Sequence, residues 1–282
     1  MRTSSMFFAD TKEKRFAPRS RPADCTVVIA AGAGSRLRFT SQNDGVFKPL
    51  TMVLGVPLIV RTLITLRDAG VREAVIVTGY RAEELRRALL SDHRLAGLTL
   101  SFAHNPEWRK KNGLSVLAAR KAVGGRRFLL SMADHLYSPR VVEALRACPP
   151  TDDDLVLAVD FRVGTVTDPE DAMWVRLTGD GAIRDIGKDL TEYDAVDTGV
   201  FFTSPALFEA LEQEAAERGG DCALADGVRR LAHAGRARTA DIGDAWWQDV
   251  DTHTDLRVVE GKLLEAMREE EAEADLGLVA AK

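Results

Sequence analysis

Cysteine is scarce in this 282-residue chain, and its placement excludes more than it offers. Cys25, Cys148 and Cys222 are an odd number, widely spaced, with no Cys-x-x-Cys. That argues against a disulfide framework and a cysteine-held zinc site, and it predicts a reducing cytoplasm. Long apolar runs are missing too, so no membrane span is predicted. The first residues hold two adjacent phenylalanines but no apolar core and no small-residue cleavage site, so they do not read as a secretory signal. A surplus of positive charge is also absent. Lysine and arginine number 38 against 43 aspartates and glutamates, a net charge of −5, which predicts no nucleic-acid partner. An enzyme of anionic substrates with this balance must concentrate its cations locally or take them from metal ions.

What is present reads as one α/β domain. The 45% apolar content suffices for a core, and 29% charged residues make a polar surface. Residues 1–22 are basic and aperiodic and read as a mobile leader. From Cys25 onward strands and helices alternate. Val27–Ile29, Ala74–Thr78, Leu98–Phe102 and Phe128–Met132 are apolar runs. Between them, Val56–Ala69, a segment through Leu90 and Leu114–Val123 have helical spacing. This rhythm predicts a doubly wound, mostly parallel sheet of Rossmann-like type. After Cys148-Pro149-Pro150 the texture changes. Leu155–Val163, Ala172–Leu177, Ala182–Ile186 and Val196–Phe202 are strands on short turns, which predicts an antiparallel extension and hence a mixed sheet. Helices follow at Leu207–Glu217 and Ala225–Ala234, then a last strand at Trp246–Val250 and an acidic amphipathic helix at Val258–Glu273. The domain is expected to run over 23–267, with a frayed acidic tail over 268–282.

The stretch with most chemistry follows the first strand. Ala30-Ala31-Gly32-Ala33-Gly34-Ser35-Arg36 allows a tight turn in which backbone N–H groups face a phosphate without obstruction. Arg36 adds bidentate donors, and Lys48-Pro49-Leu50 adds a second cation on a stiffened backbone. A dinucleotide loop would need glycine where Leu37 stands, and a Walker loop would need Gly-Lys-Ser/Thr. A turn that binds nothing is the plain alternative, and Arg36 with Lys48 weighs against it.

Carboxylates gather where strands end, the place where open α/β sheets bind ligands. Asp134 follows Phe128–Met132, and Asp249 and Asp251 follow Trp246-Trp247. Each has a plain alternative as a helix cap. Together with the glycine loop they suit a hard, oxygen-ligated cation such as Mg²⁺. Asp249 and Asp251 share one side of an extended strand, so spacing does not choose between them. His135 reads better as a hydrogen-bonded histidine orienting the strand end than as a catalytic base.

The motifs AAGAGSRL, KPL, VTGY, NPEW, NGLSVLAAR, MADHLYSP, IGKDL, YDAVDTGVF, DGVRRLA and WWQDVDT occur in one order between Ala30 and Thr252. Together they resemble the CTP:inositol-1-phosphate cytidylyltransferases of the sugar-nucleotide pyrophosphorylase superfamily. The resemblance implies a nucleotide-diphosphosugar transferase-like fold and transfer of CMP from CTP to a phosphorylated small-molecule acceptor. It implies that Ala31, Gly32, Gly34, Ser35, Arg36 and Lys48 hold the CTP phosphates, and that Thr78, Gly79, Asn112, Gly113 and Ser115 line the cytidine pocket. Asp134 with Asp249 or Asp251 would bind Mg²⁺. Lys188 would neutralise the acceptor phosphate, joining Arg36 and Lys48 as a catalytic cation, and Asp197 would accept hydrogen bonds from acceptor hydroxyls. The plain alternatives are an N-cap for Asn112, a solvated loop lysine for Lys188 and a strand-edge residue for Asp197. Phe47 stands where the superfamily usually has proline before the lysine, and the loop over 38–45 is irregular. A separate membrane-bound CDP-alcohol phosphotransferase is the implied consumer of the product.

Overall fold

The computed structural model describes residues 24–34, 47–151 and 154–280, with side chains as far as residue 269. Ser35, Arg36, the leader and the 38–45 loop lie outside the described residues.

Strand β1 (Cys25–Ala30) is buried along its whole length and sends alternate residues into two separate cores. Val27 and Ile29 face one, Val28 and Ala30 the other, as the two-residue period of a strand requires. That is why the sheet needs helices on both faces. The chain next forms a short hairpin, β2 (Met52–Val53) and β3 (Val56–Pro57), ahead of α1 (Leu58–Asp68). The helix expected from Val56 starts two residues later because Pro57 stands at the N-cap with an extended backbone. β4 (Glu73–Thr78), α2 (Ala82–Ser91) and β5 (Thr99–His104) follow. The helix expected over Leu114–Val123 is instead two, α3 (Gly113–Ala118) and α4 (Arg120–Val123), parted by a tightened turn in which the Ala119 N–H reaches the Val116 carbonyl. β6 (Phe128–Met132) then pairs with β1, and β1 with β4, all parallel.

Beyond β6 come β7 (His135–Tyr137), α5 (Pro139–Ala147) and the antiparallel part of the sheet: β8 (Leu155–Asp160), β9 (Trp174–Leu177), β10 (Ile183–Gly187) and β11 (Ala195–Thr203). The order in the nine-stranded sheet is β10-β9-β11-β6-β1-β4-β5, with β8 also on β11. β11 changes register between Asp197 and Phe201, so its first half serves β9 and its second half β6. After α6 (Ala206–Glu217) and α7 (Leu224–His233) a strand missed by sequence reading, β12 (Ala237–Asp241), adds parallel to β8. The mixed, doubly wound sheet with its antiparallel extension is therefore present. Phe128 on β6 stacks on Phe208 of α6 at 5.1 Å between ring centres, and burying such a ring contributes about 2–3 kcal/mol.

The last strand, β13 (Trp247–Asp249), does not join this sheet. It forms a two-stranded antiparallel ribbon with β7. α8 (His253–Ala280) packs against that ribbon and β2 through Val259, Val250, Leu136 and Val53. It starts earlier than Val258 because Thr252 and Asp255 form a capping box. The Asp255 N–H donates to Thr252 Oγ1 at 3.2 Å, and the Thr252 N–H to Asp255 Oδ2 at 2.8 Å. The expected domain end at 267 falls inside this helix. Among the described residues, no helix is long and apolar enough to cross a membrane.

Candidate active site

The β7–β13 ribbon is what assembles the site. Its register sets Asp249 opposite His135, and the Val250 N–H donates to the Asp134 carbonyl at 2.9 Å. Two sequence-distant carboxylates thus meet at the carboxyl end of β6. Because Thr252 supplies the α8 cap, Asp251 is released from that duty and turns to the same place as Asp249. Lys48 enters from the turn that precedes the β2–β3 hairpin. The segment Lys48–Leu50 is a single 3₁₀ turn with Lys48 and Pro49 buried. Phe47 packs edge-on against Tyr80 at 5.8 Å and anchors the turn. Lys48 Nζ donates to Asp134 Oδ2 at 2.7 Å and to Asp251 in a close contact, with Asp249 Oδ1 at 3.9 Å. Gly34 has a positive φ of 61°, and a Cβ on it would overlap the Lys48 side chain. The second glycine of the loop is thus required by the lysine.

His135 completes the cluster. Its Nδ1 lies 2.9 Å from Asp134 Oδ1 and 3.9 Å from Asp249 Oδ1, and its ring stacks over Trp247. Gly199 (φ 74°) lies against the ring from β11, where any Cβ would collide with the imidazole. Burial opposes a charge on His135, but Asp249, Asp134 and Asp197 outweigh it and raise its pKa to about 9. Burial alone would raise Asp134; the charges and hydrogen bonds of Lys48 and His135 hold it well below the usual carboxylate range. Burial pushes Asp249 up to about 7, with Asp134 adding to the rise and His135 opposing it. Asp197 is pushed to about 6 by burial, against the Gly199 N–H it accepts at 2.7 Å.

An oxygen-ligated cation fits this geometry. Asp249 Oδ1 is buried and, among the described residues, has no hydrogen-bond partner. Such an orphan is costly unless a ligand satisfies it. Carboxylate oxygens of Asp171, Asp249 and Asp251 lie within 4.8 Å of one another, and those of Asp134 and Asp249 come equally close beside His135, which holds its proton and orients them. Asp249 belongs to both groups.

Residues 26–275 match the family model of the MobA-like NTP transferase domain. The chain belongs to the MobA-like NTP transferase family. Among its relatives, a bifunctional IPC transferase and DIPP synthase of Rubrobacter xylanophilus is 38% identical over 241 residues, covering 84% of this chain and 51% of that protein. A CMP-5'-(3-aminopropyl)phosphonate synthase of Streptomyces rubellomurinus is 34% identical over 250 residues, covering 82% of this chain and 37% of the other. The inositol-1-phosphate CTP transferase of T. maritima superposes with a TM-score of 0.73 at 25% identity, over 84% of this chain and 92% of that one. The chain spans about half the length, or less, of these curated relatives.

In this MobA-like domain the carboxylates border a cavity of about 530 Å³, a size suited to a small ligand. It brings together Asp134, Asp249, Asp251, Lys188, Asp197 and Asn112. Lys188 forms a close ion pair with Asp171 and is half exposed. Asn112 does not cap its own helix; its Oδ1 accepts the Leu224 N–H at the start of α7, 2.8 Å away. Of the other expected nucleotide residues that are described, none lines this cavity, and all but Gly32 are turned into the packing. Thr78 is buried on β4 and donates to the Ala103 carbonyl, and Ser115 is buried beside Asn105 Nδ2 at 2.9 Å. Gly79 and Gly113 permit close approach, of Trp108 and of the Cys222 carbonyl respectively. Ala31 is buried, its carbonyl accepting the Tyr80 N–H, whereas Gly32 faces open space. Lys48, expected on the nucleotide phosphates, is seated among the carboxylates. Sequence reading missed Asp171, Arg162 and Lys262, which also line this cavity.

The cluster predicts a pH-dependent stability. A His135 pKa raised from about 6.5 to about 9 makes a contribution that is full below about pH 6.5 and is lost as pH rises through 9. Asp249, raised from 3.8 to about 7, has the same sign but a lower window, between about pH 4 and 7. In metal-free buffer the unfolding free energy should therefore fall by about 1–3 kcal/mol between pH 7 and 9. His135→Gln should remove most of that fall. Denaturant titrations at the two pH values check this; an undiminished fall in the variant would contradict it.

Proposed function

We propose that this domain transfers CMP from CTP to a polyol phosphate, inositol 1-phosphate, giving CDP-inositol and pyrophosphate. The observation that supports the reading most is the gathering of Asp134, Asp249 and Asp251 around the buried Lys48 ammonium, with Asp249 Oδ1 left without a hydrogen-bond partner among the described residues, beside a cavity that also holds Lys188 and Asp197. The names of the Rubrobacter xylanophilus relative and the T. maritima structure point the same way.

The acceptor phosphate is already an anion and needs no general base. One of its oxygens attacks the α-phosphorus of CTP, the bond to the bridging oxygen of the β-phosphate breaks, and pyrophosphate leaves. The obstacle is anion meeting anion. Mg²⁺, held by Asp134 and Asp249 with Asp251 beside them, would supply charge neutralisation and alignment when bound. Protonated His135 and Lys48 keep those carboxylates oriented. Lys188 leaves Asp171 for the acceptor phosphate, a short exchange for a half-exposed pair. Asp197 accepts from acceptor hydroxyls, and Ser35 and Arg36 follow the loop whose Gly32 already faces open space. Three unpaired cysteines suit a cytoplasmic setting, from which the product would pass to a separate membrane-bound CDP-alcohol phosphotransferase.

The Streptomyces rubellomurinus relative supports a second reading, the same chemistry on a phosphonate. Asp197 separates the two. A polyol offers it vicinal hydroxyl donors, and each charge-assisted hydrogen bond lost is worth about 1.5–3 kcal/mol. Asp197→Ala should lose at least about tenfold in kcat/KM with inositol 1-phosphate and little with 2-hydroxyethylphosphonate. Pyrophosphate-release kinetics on the two acceptors test this. Parental use of inositol 1-phosphate by the variant would overturn the assignment of Asp197.

A further inference from the structure

One wall of the cavity has no part in the chemistry described so far. α8 presents Asp255, Val258 and Lys262 to it at the three- and four-residue spacing of one helix face. Lys262 Nζ donates to the Trp247 carbonyl at 2.8 Å and to Gln248 Oε1 at 3.1 Å. Both acceptors are neutral, and an ammonium carries three donors. One N–H therefore remains for whatever fills the cavity. The Gln248 amide is fixed in this orientation because its Nε2 donates to Thr167 Oγ1 at 2.9 Å.

The carboxylates nearby are already engaged. Asp160 takes both the Arg162 guanidinium and Trp247 Nε1. Asp255 takes the backbone N–H groups of Asp251 and Thr252. Among the described residues, Lys262 ion-pairs with none. Burial lowers its pKa, and the like charge of Arg162 adds to that effect. Gln248 alternates with Asp249 along β13, so Lys262 stands on the opposite side of the strand from the metal carboxylates. Lys262 is thus a cation of the cavity wall beside Arg162, separate from Lys188, which the reading above assigns to the acceptor phosphate.

We propose that Lys262 selects the acceptor by charge, donating a hydrogen bond to a hydroxyl or anionic oxygen of the acceptor body and opposing acceptors that carry an ammonium there. The inference rests on the cytidylyltransferase reading above. It makes Lys262 a specificity residue for polyol phosphates over aminoalkylphosphonates, and it makes α8 part of the acceptor site.

The test compares inositol 1-phosphate with 3-aminopropylphosphonate in the parent and in Lys262→Met, Lys262→Glu and Lys262→Arg. Lys262→Met should lower kcat/KM for inositol 1-phosphate about tenfold or more, through KM of the acceptor, with KM for CTP unchanged. Lys262→Glu should shift the preference toward the amine by about thirtyfold or more, and Lys262→Arg should keep the parental preference. A residue that only pins α8 would depress both acceptors equally. The proposal is overturned if Lys262→Met and Lys262→Glu keep the parental ratio, or if the ratio moves as far in Lys262→Arg. If Lys262→Met fails to fold, the ratios in Lys262→Arg and Lys262→Glu still decide. A parent that consumes CTP with neither acceptor overturns the cytidylyltransferase reading itself, a separate result.

Discussion

Replacing Asp134 with asparagine is expected to cut turnover by about 10²–10³-fold while leaving a cooperative unfolding transition. Asp134 is hydrogen-bonded to both cations of the cluster, Lys48 at 2.7 Å and His135 at 2.9 Å. An amide of the same shape keeps the packing at the end of β6 but removes the charge. It is a poor ligand for Mg²⁺ and leaves the phosphates less neutralised in the transition state, where such interactions are worth most. An amide has one acceptor oxygen for two donors, so either Lys48 or His135 would lose its hydrogen bond, although Asp249 and Asp197 still support the His135 proton. Steady-state kinetics across a wide Mg²⁺ range separate the possibilities. A deficit that persists at saturating Mg²⁺ fits a role in the transition state. Near-parental turnover there would remove Asp134 from the site.

Replacing Lys48 with methionine has the second large effect, and it shows in stability as well as rate. Lys48 is buried among three carboxylates, two of them in direct contact. Burial disfavours its charge, yet Asp134, Asp249 and Asp251 outweigh that and raise its pKa. Deleting one member of a buried ion cluster leaves the others uncompensated, at a cost of about 3–5 kcal/mol. In metal-free buffer Lys48→Met should therefore unfold at markedly lower denaturant, and turnover should drop at least about a hundredfold. Millimolar Mg²⁺ should restore more stability to the variant than it adds to the parent, because the ion then answers carboxylates that have no lysine. Equal gains in the two proteins would contradict this placement of Lys48.

Much of the fold was legible because it rests on local signals. Val27–Ile29 and Phe128–Met132 are strands whose neighbours on both faces are apolar, and the switch to short polar turns after Pro150 announced the antiparallel half. The carboxylates were legible because a strand end fixes their place, although Asp251, expected on the strand with Asp249, lies two residues beyond the end of β13. What was not legible depended on distant partners. β7 and β13 have three residues each, too few for periodicity, yet their pairing brings Asp134 and Asp249 together. β12 (Ala-Arg-Thr-Ala-Asp) has no two-residue apolar alternation, and its pairing along β8 makes it a strand. The seat of Lys48 required contacts spanning 86 and 203 positions, which no spacing rule reaches. Gly34, which in the sequence offers room for a phosphate, has that lysine as its nearest neighbour.

The central claim is the transfer of CMP to a polyol phosphate. It is tested most directly by incubating the domain with CTP, inositol 1-phosphate and Mg²⁺, following pyrophosphate release and identifying the nucleotide product by mass spectrometry. The expected result is pyrophosphate in step with CDP-inositol, dependent on both acceptor and metal. Pyrophosphate that accumulates with CMP and no CDP-inositol, or turnover confined to another class of acceptor, would contradict it.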